Sequence, residues 1–433
     1  MSIPDPLLAK KIIYVLGASG TPPEFGVHYF TAGLDRYLKA IEEEYLDGIV
    51  KEGLSAFKLA VGSYGGGKTH FLYSLRDLAW KHGYVTSYIP LNPTECPFDK
   101  LELVYKQMVA NLAYPVTVEE LARGTERGIE PLIRVWFSSV KDDLGDRKGA
   151  DDLGSVLKGY SESIRGIEST SFANAVKNGF LALAEGDEGR FSLIVQWLKG
   201  EGFESRMYAP FGILERIDKT TAFRMMRSLI QWIRAINYSG LVLLFDEAER
   251  ASSLASSRER RQALDNLRQI VDECSNVRLP SAMFFYAVPD DRQLLDGKED
   301  VYEALRQRLR GVFSGINPSG VKVNLEELGI EPTSFLFEVG EKVAGIYELA
   351  YGLQFPPDIL ETTIRNLAGS AYEERYADIS YRRLFVKGLV EILHRLRENP
   401  TRPINKELTT HILRLGLESL ESTEMEELDG REF

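Results

Sequence analysis

The amino-acid sequence predicts an α/β fold in which helices cover both faces of a parallel sheet, giving three layers. Short apolar runs without alternation, at 57–61, 241–245 and 283–288, are typical of strands that are buried on both faces. Amphipathic segments with helical spacing, for example at 68–82 and 259–274, lie between these runs. Because strands alternate with helices along the chain, a parallel arrangement of the strands is favoured.

The first strand leads into a glycine-rich loop that carries the most informative pattern in the chain. Residues 62–69 fit G-x-x-x-x-G-K-[ST], the Walker A pattern of a nucleotide-phosphate-binding loop. Such a loop aims backbone N–H groups at phosphate oxygens, and the following helix adds a partial positive charge. Lys68 is expected to reach the β- and γ-phosphates, and the Thr69 hydroxyl to bind Mg²⁺. The predicted nucleotide-binding residues are Gly62, Ser63, Tyr64, Gly65, Gly66, Gly67, Lys68, Thr69 and His70.

A later strand ends in the acids that such a site requires, the Walker B pattern. The run 241–245 is followed by Asp246 and Glu247 at its carboxyl end, where ligands bind in open α/β sheets. Asp246 is expected to hold Mg²⁺, directly or through water. Glu247 is expected to orient and deprotonate the attacking water, with Glu249 as the next candidate for this general base. Taken alone, two adjacent carboxylates after a strand are also common as solvated loop residues.

The chain between the two motifs is longer than a minimal nucleotide-binding core requires. Such a core needs only one or two βα units there, each of about 30 residues. A strand at 84–91 and a helix around 101–112 form one unit, and a helix at 220–237 leads into the acidic strand. The residues at about 115–215 are therefore predicted to be a mostly helical insertion, to which the sequence assigns no task.

Three segments follow from these patterns. Residues 1–52, with a turn-rich stretch at 20–26 and a predicted helix at 34–50, are expected to complete the nucleotide site. Residues 53–332 form the predicted ATPase core with its insertion. Residues 333–433 are predicted to be an all-α lid domain whose acidic end is solvated.

The order of the motifs indicates the additional-strand class of phosphate-loop ATPases, which includes AAA+ proteins. In this class other strands separate the acidic strand from the loop strand, and a glutamate follows the aspartate. The class also has a polar residue at the end of the next strand, where this chain has Val288. Asp290 is the nearest polar substitute, so the position departs from the pattern of the class.

An AAA+ site also uses an arginine of a neighbouring subunit. A predicted helix carries arginines at three alternate positions, Arg306, Arg308 and Arg310. Arg308 is the first choice for such a finger, which neutralises charge that develops on the γ-phosphate. The alternative is a solvated basic face that pairs with Glu303 or Glu299.

A lid arginine is the other expected cation. The helix that begins near residue 380 carries Arg382 and Arg383 in its first turn. Arg383 is the first choice to reach back across the cleft, with Arg382 in reserve. A surface ion pair is the alternative.

The composition is that of a large soluble protein. Lys and Arg total 52 against 64 Asp and Glu, and this net charge of −12 argues against a wholly basic surface for nucleic acid. Cys96 and Cys274 lack a metal-like spacing and are expected to be reduced packing residues of a cytoplasmic protein. No apolar run approaches the roughly 18 residues that a membrane helix needs. The first residues do not follow the pattern of a signal peptide, so we expect no membrane contact.

Five stretches carry a resemblance to a known family, namely 20–24, 58–72, 85–100, 245–249 and 302–305, the last followed by Arg308. Through them the chain, from residue 15 to about 395, resembles the ATP-binding proteins of BREX-type phage-defence islands. It looks like the BrxD-like group, a branch of AAA+ ATPases close to the Orc/Cdc6 type. The most specific part is 64–72, where aromatic and His neighbours extend the loop.

The resemblance implies ATP hydrolysis coupled to DNA work in defence, beside a helicase or methyltransferase partner. Two function classes stay open. The first is a homo-oligomeric motor or helicase loader that engages DNA. The second is a signalling switch whose ATP state regulates a partner protein without acting on DNA. The acidic net charge favours the switch, and the resemblance favours the motor. A small-molecule kinase is disfavoured, because Glu247 suits activation of water.

Overall fold

A six-stranded sheet forms the centre of the computed structural model. The structure describes residues 4–148, 153–248, 256–290, 300–314, 317–373 and 381–429. The strands are β1 (Ala56–Val61), β2 (Val85–Pro90), β3 (Leu112–Ala113), β4 (Leu241–Asp246), β5 (Ala282–Val288) and β6 (Lys322–Asn324). Their order in the sheet is β3-β2-β4-β5-β1-β6. Only the pairing of β3 with β2 is antiparallel, so the sheet is mostly parallel, as the sequence predicted.

The sheet brings the carboxyl ends of its parallel strands to one edge. β5 lies between β1 and β4, with Val61 paired to Val288 and Phe245 paired to Tyr286. All residues of β1, β4 and β5 are buried, which explains why their sequences do not alternate between apolar and polar residues. One strand therefore separates the strand that precedes the glycine loop from the strand that ends in Asp246.

Helices make up most of the rest of the described chain. In chain order they are α1 (Pro6–Ser19), α2 (Asp35–Ile41), α3 (Lys68–Lys81), α4 (Leu101–Ala110), α5 (Val118–Arg123), α6 (Ile129–Lys148), α7 (Leu153–Ser163), α8 (Thr170–Glu185), α9 (Glu188–Leu198), α10 (Ser205–Tyr208), α11 (Ala222–Ala235), α12 (Ser257–Ser275), α13 (Asp300–Leu309), α14 (Pro332–Tyr351), α15 (Pro357–Glu373), α16 (Tyr381–Glu398) and α17 (Lys406–Asp429). These bounds agree closely with the predicted helices, except at 34–50. There α2 continues as a π-helical stretch, Glu42–Ile49, in which Gly48 has non-helical dihedral angles.

Two apolar cores lie on opposite faces of the sheet. On one face α2, the π-helical stretch and α3 pack around Phe71 and Phe285, whose rings meet edge to face. On the other face α4, α11 and α12 pack around Phe245. The helices of the predicted insertion join this second core, in which the rings of Trp136 and Trp232 lie 5.8 Å apart. The sheet therefore has helices on both faces.

A third core joins the two ends of the chain. The C-terminal helices α14 to α17 pack together, and α1 packs against α14 and α16. Ile12 and Leu16 of α1 are buried with Tyr347 and Phe385 in this core. The segment at 1–52 is thus shared between two cores, because α2 packs on the sheet. Within the described ranges, no helix is both long enough and apolar enough to cross a membrane.

Candidate nucleotide site

The glycine-rich loop connects the carboxyl end of β1 to the first residue of α3. Gly65 and Gly67 have φ angles of 67° and 94°, a left-handed conformation that glycine adopts easily because it lacks a Cβ atom. The Gly66 amide donates to the Ser63 carbonyl (2.9 Å), which closes a tight turn inside the loop. The loop thus folds back on itself directly ahead of a helix N-terminus. This arrangement suits the binding of phosphate by backbone N–H groups.

Lys68, the first residue of α3, reaches back over this loop. Its Nζ donates to the carbonyls of Gly62 (3.0 Å) and Ser63 (3.2 Å), and the residue is buried. The ammonium group therefore lies beside the loop backbone, where phosphate oxygens could replace the carbonyls as its acceptors.

The acidic end of β4 faces the first turn of α3. Asp246 is buried, and its Oδ2 accepts hydrogen bonds from the Thr69 hydroxyl (2.7 Å) and from the Tyr88 hydroxyl (2.8 Å). Its Oδ1 accepts from the backbone amide of Glu247 (2.9 Å). Burial, followed by the charge of Asp246, raises the pKa of Tyr88 far above its usual value, so the phenol stays protonated and donates. The sequence analysis did not identify Tyr88, although a tyrosine on a strand predicted at this edge was a usable signal.

Glu247 leaves the strand in an unusual backbone conformation. Its φ is 56°, in the left-handed region that side chains with a Cβ atom rarely adopt. Such residues cost about 1–3 kcal/mol and cluster at functional sites. Glu247 and Asp246 both line the cleft in which the glycine loop lies.

Arg382 and Arg383, at the start of α16, have different partners. Arg382 Nη1 donates to the carbonyl of Gly66 (2.6 Å) in the glycine loop and to that of Leu325 (3.2 Å). Arg383 Nε donates to the Ser19 carbonyl (2.9 Å) at the end of α1. Both arginines line the cleft. The reserve candidate from the sequence therefore touches the loop, while the first choice links two helices beside it.

A carboxylate that the sequence analysis did not identify also touches the loop. Glu326 Oε1 accepts from the Ser63 amide (2.8 Å) and the Ser63 hydroxyl (2.7 Å). Its Oε2 lies 3.6 Å from Nη2 of Arg382. Glu326 comes two residues after β6, at the same edge of the sheet as the loop. No motif in the sequence points to Glu326, whose role depends on the observed position of β6 beside the loop.

The cleft has an apolar part beside the loop. Its side chains come from the N-terminal segment, from the residues that follow β6 and from α14. Its apolar lining residues include Pro22, Phe30, Leu34, Leu328, Phe335, Leu336 and Val339. A flat apolar ring could lie between these side chains while a phosphate chain meets the glycine loop. Tyr64 and His70 also line the cleft, together with Gly65, Gly66, Gly67, Lys68 and Thr69.

The finger candidates lie elsewhere. Arg308 Nε donates to Oδ1 of Asp272 (2.5 Å) on α12, and Arg306 lies 3.6 Å from a carboxylate oxygen of Glu303. Arg306, Arg308 and Arg310 are absent from the cleft lining in the part of the chain that the structure describes.

At the end of β5, Val288 does not supply the polar side chain that the additional-strand class has at this position. Val288 is buried there, and its carbonyl accepts from the Gly62 amide (3.1 Å). Asp290 follows the strand but is likewise outside the described lining. Glu249 and Glu299 lie outside the described residues.

The side chains at this edge fit a magnesium nucleotide. The Thr69 hydroxyl and the Asp246 carboxylate are hard oxygen ligands, which Mg²⁺ prefers. The ammonium group of Lys68 lies within the same cleft, as do the loop amides. The cleft therefore combines cationic and amide groups for phosphate, oxygen ligands for a divalent ion and an apolar space for a base.

These features are compatible with a phosphate-loop nucleotide-binding core. The chain belongs to the family of BREX system ATP-binding proteins BrxC/D, whose family model matches residues 6–411. No curated protein and no solved structure matches the chain significantly. Membership confirms the BREX resemblance found in the sequence, and it supports ATP as the ligand and BREX phage defence as the setting.

Proposed function

We propose that the protein is a Mg²⁺-dependent ATPase and that this cleft hydrolyses ATP. The observation that carries the proposal is the 2.7 Å hydrogen bond between the Thr69 hydroxyl and Asp246. It joins the phosphate loop to the acidic strand, although the whole helical insertion separates them in the chain. Thr69 and Asp246 would hold the ion, which neutralises phosphate charge when bound.

The remaining groups at this edge divide the work. Lys68 binds the β- and γ-phosphates, and the loop amides bind the phosphate oxygens. Glu247 orients a water molecule and accepts its proton. Tyr88 orients the Asp246 carboxylate through its 2.8 Å hydrogen bond. The apolar part of the cleft takes the base.

Arg382, rather than Arg383, is the better candidate for the lid arginine. It already donates to the loop carbonyl of Gly66, and its guanidinium lies 5.0 Å from the ring of Phe335. Phosphate charge in the loop would therefore act on Arg382 and on the helix that carries it. Through this contact ATP binding would fix the position of α14 to α17, which act as the lid domain.

The order of the strands supports the AAA+ type of phosphate-loop ATPase. β5 lies between the loop strand and the acidic strand, as the additional-strand class requires. The buried Val288 remains a departure from that class. The Orc/Cdc6-like branch rests on the resemblance of the sequence alone.

Assembly into a homo-oligomer is part of the proposal, with Arg308 as the finger. Arg308 is 38% exposed and is bonded to Asp272 of its own chain. To reach a neighbour's nucleotide it would have to exchange this partner for phosphate. An ion pair with Asp272 as its sole role is the alternative.

The ATP cycle is proposed to drive DNA-related work in defence, such as DNA engagement or helicase loading. The partner would be DNA together with a helicase or a methyltransferase of the defence system. The alternative is a signalling switch that regulates a partner protein in the cytoplasm without contacting DNA. The net charge of −12 favours this second class.

ATP turnover with and without DNA separates the two classes. The rate of phosphate release is measured alone, with single-stranded DNA and with duplex DNA, and the oligomer mass is measured under the same conditions. A motor or loader should hydrolyse ATP faster with one of the DNAs. Equal slow rates in all three conditions would favour the switch. No ATP hydrolysis above that of the Lys68→Ala variant in any condition would overturn the ATPase proposal.

A further inference from the structure

His70 occupies the position after Thr69 on the first turn of α3, and it lines the cleft. Its Nε2 lies 2.8 Å from the Thr31 hydroxyl, and its ring meets the ring of Phe30 edge to face at 5.1 Å. Phe30 lines the apolar part of the cleft. His70 therefore lies where the phosphate loop meets the space proposed for the base.

The neighbouring hydroxyl groups determine which ring nitrogen carries the proton. A hydroxyl has one proton to donate and can still accept. The Thr31 hydroxyl donates to the Val27 carbonyl (2.8 Å), and the Ser74 hydroxyl donates to the His70 carbonyl (2.9 Å). Because its single proton is used, Thr31 can only accept from the imidazole. Nε2 of His70 must therefore be protonated and donate to Thr31.

The second ring nitrogen is then a hydrogen-bond acceptor. A neutral imidazole carries one proton, so one of its two nitrogens is a donor and the other an acceptor. That proton is on Nε2, which leaves a lone pair on Nδ1. Nδ1 has no hydrogen-bond partner within the residues that the structure describes. A ligand in the cleft can supply the missing donor.

We propose that His70 is a specificity-determining residue that accepts a hydrogen bond on Nδ1 from the nucleoside part of the bound nucleotide. The inference rests on the proposed nucleotide site. Two donors have the required chemistry, the 6-amino group of adenine and the ribose 2′-hydroxyl. If the amino group is the donor, a 6-oxo purine is rejected, because its carbonyl oxygen would face the Nδ1 lone pair. Thr31 is then a positioning residue, because its hydroxyl fixes the tautomer.

Binding of three nucleotides tests the assignment. Titration calorimetry in the Glu247→Gln background, which limits turnover, gives dissociation constants for ATP, inosine triphosphate and 2′-deoxy-ATP. The wild-type His70 protein should bind ATP roughly ten-fold or more tighter than one of the two analogues. Preference over inosine triphosphate assigns the amino group, and preference over 2′-deoxy-ATP assigns the 2′-hydroxyl.

Four variants complete the test. His70→Phe keeps a flat ring beside Phe30 but has no acceptor, so the preference should fall to about two-fold or less. His70→Asn restores an acceptor at the position of Nδ1 and should recover part of the preference. Thr31→Val should weaken it, because the tautomer is no longer fixed. Ser74→Ala is the matched control: the Ser74 hydroxyl lies 3.4 Å from the Thr31 hydroxyl but donates to the His70 carbonyl, so the preference should persist.

Two outcomes are distinct failures. If the wild-type His70 protein binds none of the nucleotides, the nucleotide site itself is wrong. If ATP binds but the ratios are the same in His70→Phe and its parent, the role of His70 is overturned. A thermal unfolding curve of each variant without nucleotide shows that it is folded. If His70→Phe does not fold, Thr31→Val decides in its place, and an unchanged preference in that variant overturns the proposal.

Discussion

The contact between Arg382 and the glycine-rich loop leads to a quantitative prediction about the proposed lid domain. Arg382 donates to the Gly66 carbonyl at 2.6 Å, and its side chain is only 14% exposed, so water screens the contact weakly. A hydrogen bond from a charged donor contributes about 1.5–3 kcal/mol. Arg382→Ala should therefore lower kcat/KM for ATP by roughly 10- to 150-fold. Arg382→Lys keeps the positive charge but loses the planar guanidinium group, so its kcat/KM should lie between those of wild type and Arg382→Ala.

Arg383→Ala is the matched control, because Arg383 starts the same helix but donates to the Ser19 carbonyl outside the loop. Its kcat/KM should stay within about five-fold of wild type. The assay is steady-state phosphate release over a range of ATP concentrations, with the unfolding temperature of each variant measured in parallel. A larger loss in Arg383→Ala than in Arg382→Ala would refute the assignment of the lid arginine. So would an Arg382→Ala enzyme within two-fold of wild type.

Three further predictions concern the loop, the assembly and the pH dependence of stability. Lys68→Ala should weaken ATP binding by about 30-fold or more, measured by calorimetry, because it removes the cation of the loop; affinity within two-fold of wild type would contradict the site. If Arg308 acts in trans, mixing Arg308→Ala with Glu247→Gln protein should restore phosphate release that neither variant shows alone; the absence of rescue would leave Arg308 as the partner of Asp272. Lys58 on β1 is buried, its Nζ donates to the Tyr45 hydroxyl (2.6 Å), and burial lowers its pKa to about 7. Between pH 7 and 10.5, the pKa of the unfolded chain, Lys58 is neutral in the folded protein and protonated in the unfolded chain, so stability rises with pH. Between pH 7 and pH 9, the free energy of unfolding of wild type, measured with urea, should therefore rise by about 1–3 kcal/mol relative to that of Lys58→Met. The same pH dependence in both proteins would contradict this.

The sheet and the glycine-rich loop could be predicted because their signals are local. A strand buried on both faces needs a continuous apolar run, and the glycine loop needs its glycines at fixed spacing. The sequence analysis placed Thr69 and Asp246 at one expected Mg²⁺ site, and in the structure their side chains are joined by a hydrogen bond of 2.7 Å. The family resemblance drew on the same stretches, and the family match confirms it.

Contacts that depend on distant packing could not be predicted. Arg382 and Glu326 reach the loop only because the C-terminal helices and β6 pack beside it. No pattern of residue spacing in the sequence indicates that Arg382 and Glu326 lie close to the loop. Nor could the sequence distinguish Arg382 from Arg383. Adjacent side chains on a helix point about 100° apart, and the sequence does not show which of the two directions faces the loop. The π-helical stretch after Ile41 was missed because the apolar spacing there also suits an α-helix.

The central proposal for this protein is that Glu247 is the base that activates water in a cleft that binds ATP. The most direct measurement compares ATP binding and single-turnover hydrolysis in wild type and Glu247→Gln. Gln keeps the shape of the side chain but cannot accept a proton at neutral pH. For Glu247→Gln we expect an ATP dissociation constant within about three-fold of wild type and a hydrolysis rate lower by at least about 100-fold. Hydrolysis at the wild-type rate in Glu247→Gln would contradict it.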